Sequence, residues 1–189
     1  LPVVEKLSKI PLLLKLMGLC SLDDCEIERA FTSLRNLLID QVLDEKIYES
    51  CLPFVAALAN QCFNNEYIYY ETPDEKNKVC ALEKKICSCL DAGNPIHGMW
   101  LVCLASYRSL LSFSWATKLL KVEFSPVIQE VINRQVIEPI DESELCLKLP
   151  RLTPIRSRVS IVVRKQYEES PYPRWIKMGI RETGLSVIE

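Results

Sequence analysis

The residues of this chain with the means to do chemistry are nine cysteines, one histidine and two acidic clusters. The cysteines are Cys20, Cys25, Cys51, Cys62, Cys80, Cys87, Cys89, Cys103 and Cys146. A zinc site would need C-x-x-C pairs or clustered histidines. Cys87-x-Cys89 has the wrong spacing, and on a helix those side chains diverge by about 200°. The only histidine is His97, so a Ser-His-Asp or Cys-His centre would have a single candidate base. It falls just after Pro95, in a first helical turn, where a structural role explains it. Most of the cysteines sit among aliphatic residues, as in LVCLAS at 101–106 and KVCALEKKICSCL at 78–90. Free cysteine in such company behaves as a small apolar residue. The odd count predicts reduced thiols in core or half-buried positions of a cytoplasmic chain, and no metal is expected.

The carboxylates Asp23 and Asp24, and Asp141, Glu142 and Glu144, would suit acid–base work. Both clusters lie where helices should begin, however, and capping together with the helix dipole accounts for them. The glycines, at 18, 93, 98, 179 and 184, are too scattered for a phosphate-cradling loop, and no G-x-S-x-G occurs. No catalytic, cofactor-binding or metal-binding residue is therefore assigned, and no cofactor is expected. The C-terminal part is basic, with Arg151, Arg156, Arg158, Arg164, Lys165, Arg174, Lys177 and Arg181 set against Glu168 and Glu169. Such a run is usually a solvated face; the alternative is a phosphate or nucleic-acid surface.

The elements that would position these residues are helical. A length of 189 residues with 49% apolar content and only 5 glycines describes one helix-leaning domain with an appended arm. A net charge of −2 argues against a global nucleic-acid role. No apolar run reaches the ~18 residues of a membrane span. The first residues lack a basic leader and a cleavage site, so they are not read as a signal peptide, and without an initiator Met the chain is expected to begin inside a longer product.

Pro11 and Gly18 bracket a first helix. Asp23, with Glu26 three residues on, opens a second, whose apolar positions are Ile27, Ala30, Phe31, Leu34, Leu37 and Leu38. Pro53 confines the next, at 46–63, to a kink or to a start near Ser50. Thr72, Pro73 and Glu75 form a capping box for a helix with the stripe Val79, Leu82, Ile86 and Leu90, ended by Gly93. Pro95 opens IHGMWLVCLASYRSLLSF, apolar nearly all round and expected to be the central buried helix. Ser114 caps a short helix, WATKLL. Ser125 and Pro126 start PVIQEVINRQVI, which halts before Pro139. Residues 138–158 read as an extended crossing segment with at most one helical turn near ESELCL. Ser157 or Ser160 starts a last helix that ends at Pro171. EYIYYE at 66–71 is the one β-like run.

One decapeptide stands apart: QYEESPYPRW, residues 166–175. Pro171 and Pro173 force the residues before them out of the α region, so the segment should leave the last helix in a fixed direction. Tyr172 and Trp175 offer rings to bury, and Arg174 is placed to reach Glu168 or Glu169. This stretch resembles the QYEENPYPRW-like junction of bacterial tetratricopeptide-type proteins fused to class I S-adenosylmethionine-dependent methyltransferases. LANQCFNNEYIYYETPDE at 58–75, LASYRSL at 104–110 and RQVIEPIDESEL at 134–145 are similar to the same family. In that family a methyltransferase core with an acidic residue and a glycine-rich loop follows the motif; here the sequence stops at Glu189 before one. The resemblance implies an accessory helical domain of a methyltransferase, or a truncated or stand-alone relative of one, without the methyl-donor site.

Together these observations predict an all-α, irregular bundle of seven or eight helices, with a helical-hairpin (tetratricopeptide-like) arrangement left open because no period near 34 residues recurs. Residues 1–149 should form the bundle, and 150–189 the crossing segment, final helix and proline-rich arm. The function expected is a non-catalytic interaction or accessory domain. The alternatives are a substrate-selecting fragment of a methyltransferase and a phosphate or nucleic-acid binder. The candidate docking residues are Tyr167, Glu168, Glu169, Pro171, Tyr172, Pro173, Arg174 and Trp175. The partner expected is a following domain, another protein or a second copy.

Overall fold

The computed structural model describes residues 2–46, 48–150 and 155–169. Within them the chain is all-α. The helices are α1 (Pro2–Leu7), α2 (Pro11–Leu19), α3 (Cys25–Leu43), α4 (Leu52–Asn64), α5 (Pro73–Asp91), α6 (Gly98–Ala105), α7 (Pro126–Ile132), α8 (Glu138–Lys148) and α9 (Arg158–Glu169). Short 3-10 turns occupy Glu49–Cys51, Leu110–Ser112 and Ala116–Lys121, and a π-helical turn, Asn133–Ile137, joins α7 to α8. Among the described residues no helix is long and apolar enough to cross a membrane.

The hub is α4. Pro53 sits in its first turn, where a missing N–H costs nothing. From Phe54 to Asn64 every residue is buried, because α2, α6 and α7 surround it. Packing runs chiefly between helices two apart in sequence: α2 with α4, α4 with α6, α3 with α5. The expected central helix is α6, and it is buried, but it is shorter than its apolar run. It starts at Gly98 rather than Pro95, with His97 as its N-cap. It stops at Ala105 because the groups beyond it bond elsewhere: the Ser106 carbonyl to Arg35 and the Leu110 N–H to Gln135. Gly98 lets α6 approach α7 closely, since a Cβ there would lie 2.1 Å from Ile128 Cδ1.

Local signals are obeyed where their partners are local. Thr72 and Glu75 form the reciprocal capping box, at 3.1 and 2.9 Å. Gly93 takes φ +68° after α5. The cap of α3 is Asp24, one residue beyond Asp23; its Oδ1 accepts from the N–H groups of Glu26 and Ile27. The inward face of α3 is also rotated from expectation. It carries Phe31, Arg35, Leu38, Ile39 and Val42, while Ala30 and Leu37 are exposed, because Arg35 is drawn inward by carbonyls described below. WATKLL forms a 3-10 turn without a side-chain cap from Ser114. EYIYYE forms no strand: Glu66 and Tyr67 both take left-handed backbone angles, φ 57° and 58°.

The largest correction lies at Pro139. The helix does not halt there, and the following segment is not extended. Proline removes one N–H and its ring collides with the carbonyl four residues back. The chain answers by opening one turn: the Glu138 N–H reaches back five residues to the Asn133 carbonyl, and α8 then runs on for 11 residues with Pro139 in its first turn. None of α8 is buried.

Candidate functional site

Two polar constellations lie inside this fold. The first surrounds Arg35, which is 1% exposed. Its Nη2 donates to the carbonyls of Tyr69 and Tyr70 at 3.3 and 2.9 Å, and its Nη1 to that of Ser106 at 3.3 Å. The guanidinium lies 4.2 Å from the Tyr107 ring centroid, a cation–π distance. The Tyr107 hydroxyl donates to Glu75 at 3.0 Å, the same carboxylate that caps α5. Beside this cluster the thiols of Cys62 and Cys103 are fully buried, and burial pushes both up to about 12. Burial likewise pushes the Tyr107 hydroxyl upward. A nucleophile needs the opposite shift, so the cluster reads as a structural clasp tying α3, α5, the turn after α4 and the end of α6.

The second is a groove of about 500 Å³ between α2, α4 and the α7 to α8 bend, within the size range of small-ligand sites. One stripe of α4 forms its floor: Pro53, Ala56, Ala57 and Asn60, at i, i+3, i+4 and i+7. Leu14, Gly18 and Leu19 of α2 form one wall. Val127 and the charged residues Glu130, Arg134 and Glu138 form the other, with Lys15 opposite. Arg134 Nη1 donates to the Gly18 carbonyl, tying the π-turn to the end of α2.

The π-turn itself is pinned from inside. Gln135 is fully buried; its Nε2 donates to the carbonyls of Ala59 and Ala105, both at 3.1 Å. Its Oε1 accepts from Tyr67 Oη and the Leu110 N–H, both at 3.2 Å. With four bonds, Gln135 is saturated. The C-terminal carbonyls of α2 are also met. Asn64 Nδ2 donates to Met17 and Gly18 at 3.3 and 3.4 Å. Gln61 serves Met17 and Cys20 at 3.0 and 2.9 Å while accepting from the Leu22 N–H at 2.9 Å, in the amide orientation its neighbours require. Asn60 and Asn65 are exceptions: at 6% and 4% exposure, neither Oδ1 has a hydrogen-bond partner among the described residues.

The sequence-derived candidates fall elsewhere. Tyr167 is 63% exposed on α9. Glu168 faces Arg164 one turn back at 3.4 Å, Glu169 is the last residue of α9, and Pro171, Tyr172, Pro173, Arg174 and Trp175 lie outside the described residues. On α9 the positions Val159, Val162, Val163 and Tyr167 form one helical stripe, 72, 61, 42 and 63% exposed. His97 serves as a cap, its Nδ1 accepting from the Met99 N–H at 3.3 Å. All nine cysteines are free; Cys51, Cys62 and Cys103 are buried and Cys87 and Cys89 half-buried. Cys20, Cys25, Cys80 and Cys146 are exposed, against the expectation of core or half-buried thiols, because they fall on the outward sides of their segments. Among the described residues no three His, Cys, Asp or Glu side chains cluster as metal ligands would.

The groove and the Arg35 clasp were not foreseen. The signal for the groove was available in part: three amides, Asn60, Gln61 and Asn64, interrupt an otherwise apolar helix, and a proline sits four residues after Gln135. No protein-family model, curated protein or solved structure matches the chain.

Proposed function

We propose that this chain is a non-catalytic helical interaction domain of the accessory kind, and that α9 is the element that meets the partner. The observation that carries this reading is the apolar stripe of α9, which the chain leaves largely in solvent. A helix of twelve residues is marginal alone in water, and an amphipathic helix is ordinarily stabilised by burying its apolar face. The partner's chemistry follows from the flanking charge. Arg156, Arg158, Arg164 and Lys165 outnumber Glu168 and Glu169 in this stretch, so the complementary surface is an apolar groove with an acidic rim. On the resemblance of residues 166–175 to a methyltransferase junction, that partner is a methyltransferase core. The elevated thiols at Cys62 and Cys103 and the capping role of His97 support a reading without catalysis.

A photo-crosslinking side chain at Val163 tests this, with the same group at Lys84 on α5 as control. One dominant adduct at Val163 in the cells that make the protein is expected, and V159D should abolish it. An adduct of twice the chain's mass would replace the proposed partner with a second copy. Crosslinking at Val163 no stronger than at Lys84 would end the proposal.

A further inference from the structure

We propose that the groove between α2, α4 and the π-turn docks an amphipathic helix of another protein, acidic along one edge of its apolar stripe and basic along the other. The shape of the groove suits a helix. Its floor, Pro53, Ala56, Ala57 and Asn60, runs from i to i+7 on α4, which is two turns and about 10 Å. The alanines let a partner's backbone come close, and aliphatic anchors at i, i+4 and i+7 of the partner match that length. Leu19 on one wall and Val127 on the other are both exposed. Leu12 and Leu16, on the same face of α2 as Leu19, are exposed as well and extend the apolar rim. Floor and walls are helical, so their backbone groups bond within their own elements. They offer no edge to which an extended peptide could bond, whereas a helix arrives with its own backbone satisfied.

The walls set the partner's charge. Lys15 on the α2 side and Glu130 and Glu138 on the α7 and α8 side line the groove and are exposed. Among the described residues none of the three makes an ion pair, with each other or with anything else. Arg134, the other charged residue of the lining, donates to the Gly18 carbonyl. The two walls therefore face each other with opposite charges across an apolar floor. A helix lying between them is complementary when its edge over α2 carries Asp or Glu and its edge over α7 and α8 carries Lys or Arg. A bilayer surface, which carries one sign and cannot enter a concavity, does not match this pattern. Nor does α9, which mixes cations and glutamates on both edges of its stripe: Arg164 and Glu168 on one, Arg158, Lys165 and Glu169 on the other. The groove is thus a second docking surface, separate from the one α9 presents.

Three synthetic helices of about 15 residues, sharing one leucine stripe, test this on the full chain by fluorescence anisotropy at low salt. The first carries Glu along one edge of the stripe and Lys along the other. The second carries Glu on both edges, and the third Lys on both. The divided helix should bind with a Kd on the order of 100 μM or below. It should bind at least about fivefold more tightly than either single-sign helix, and added salt should narrow the gap. K15E, at an exposed position, makes both walls acidic and should move the preference to the all-lysine helix. A57L fills the floor and should weaken all three. Equal affinities in the unaltered protein, a preference that K15E leaves unchanged, undiminished binding to A57L, or no binding at about 1 mM would overturn the proposal. So would a dimer of the chain, or its retention on phosphatidylserine vesicles, that K15E abolishes, because the surface would then belong to a second copy or to a membrane. The comparison of the three helices on the unaltered chain holds whether or not A57L folds.

Discussion

The Arg35 clasp and the Asn60 groove lie in different parts of the same helical body, and they treat buried polarity in opposite ways. Around Arg35 the polar groups converge: three carbonyls, an aromatic face and a shared carboxylate bring together segments from 35 to 107, although Arg35 Nε itself has no hydrogen-bond partner among the described residues. Around Asn60 the side-chain oxygen is left without a partner among the described residues, as is that of Asn65, while Gln61 and Asn64 bond to the end of α2. A closed polar cluster in a low-dielectric interior specifies one arrangement of helices. An open one costs stability and is retained where something else completes it. The difference separates a part of the molecule that ties distant segments together from a part where the burial of an amide is not matched by bonding.

The sharpest way to break this contrast is at Arg35. R35A should remove the charge-assisted bonds and leave a cavity, costing about 3–5 kcal/mol in urea unfolding. A loss under about 1 kcal/mol would mean the clasp holds nothing.

Alkaline unfolding tests the same region through its thiols. Cys62 and Cys103 ionise at about 12 in the folded protein against 9.0 ordinarily. The unfolded chain therefore releases these protons first, and the folded state binds more protons between the two values. Stability should be intact below pH about 9 and fall as pH rises toward about 12. Between pH 8 and 10 the two thiols together should contribute a loss of about 2–3 kcal/mol. Replacing both with alanine should flatten that part of the curve. An unchanged slope would mean the thiols ionise as freely folded as unfolded.

The smallest and most pointed test is a pair on α4. N64L should destabilise by about 1 kcal/mol, because it removes the Asn64 bonds to the carbonyls of Met17 and Gly18, which keep only Gln61 and Arg134 as donors. N60L should instead stabilise by about 1 kcal/mol, because it removes a polar group nothing satisfies. Thermal unfolding of the two variants side by side reads the sign. If both destabilise, Asn60 has a structural role and the contrast with the clasp fails.

What was legible in the sequence was whatever a few consecutive residues complete among themselves. The all-α class followed from period and composition. The Thr72–Pro73–Glu75 start and the Gly93 stop of α5 were readable because every donor, acceptor and backbone angle involved lies within one turn. Asp24 displaced Asp23 as a cap by a single residue, a shift that pattern does not resolve. At Pro139 the local rule was sound and its conclusion was not. Proline does forbid the ordinary helical bond, but the tertiary structure offered Gln135 four partners on α4, α6 and the turns after them. With those partners in place an opened turn was better than a broken helix. Arg35 turned inward for a comparable reason: its acceptors are the carbonyls of Tyr69, Tyr70 and Ser106, 34 to 71 residues away. Asn60 could not have been singled out by any local rule, since having no partner is a property of everything packed around a residue. The sequence by itself determined the all-α class and, to within a residue or two, the starts of α2, α3, α5, α7 and α9. Only the packed structure decided which buried polar groups are closed and which are left open, because hydrogen-bond satisfaction depends on groups that the chain brings together from far apart.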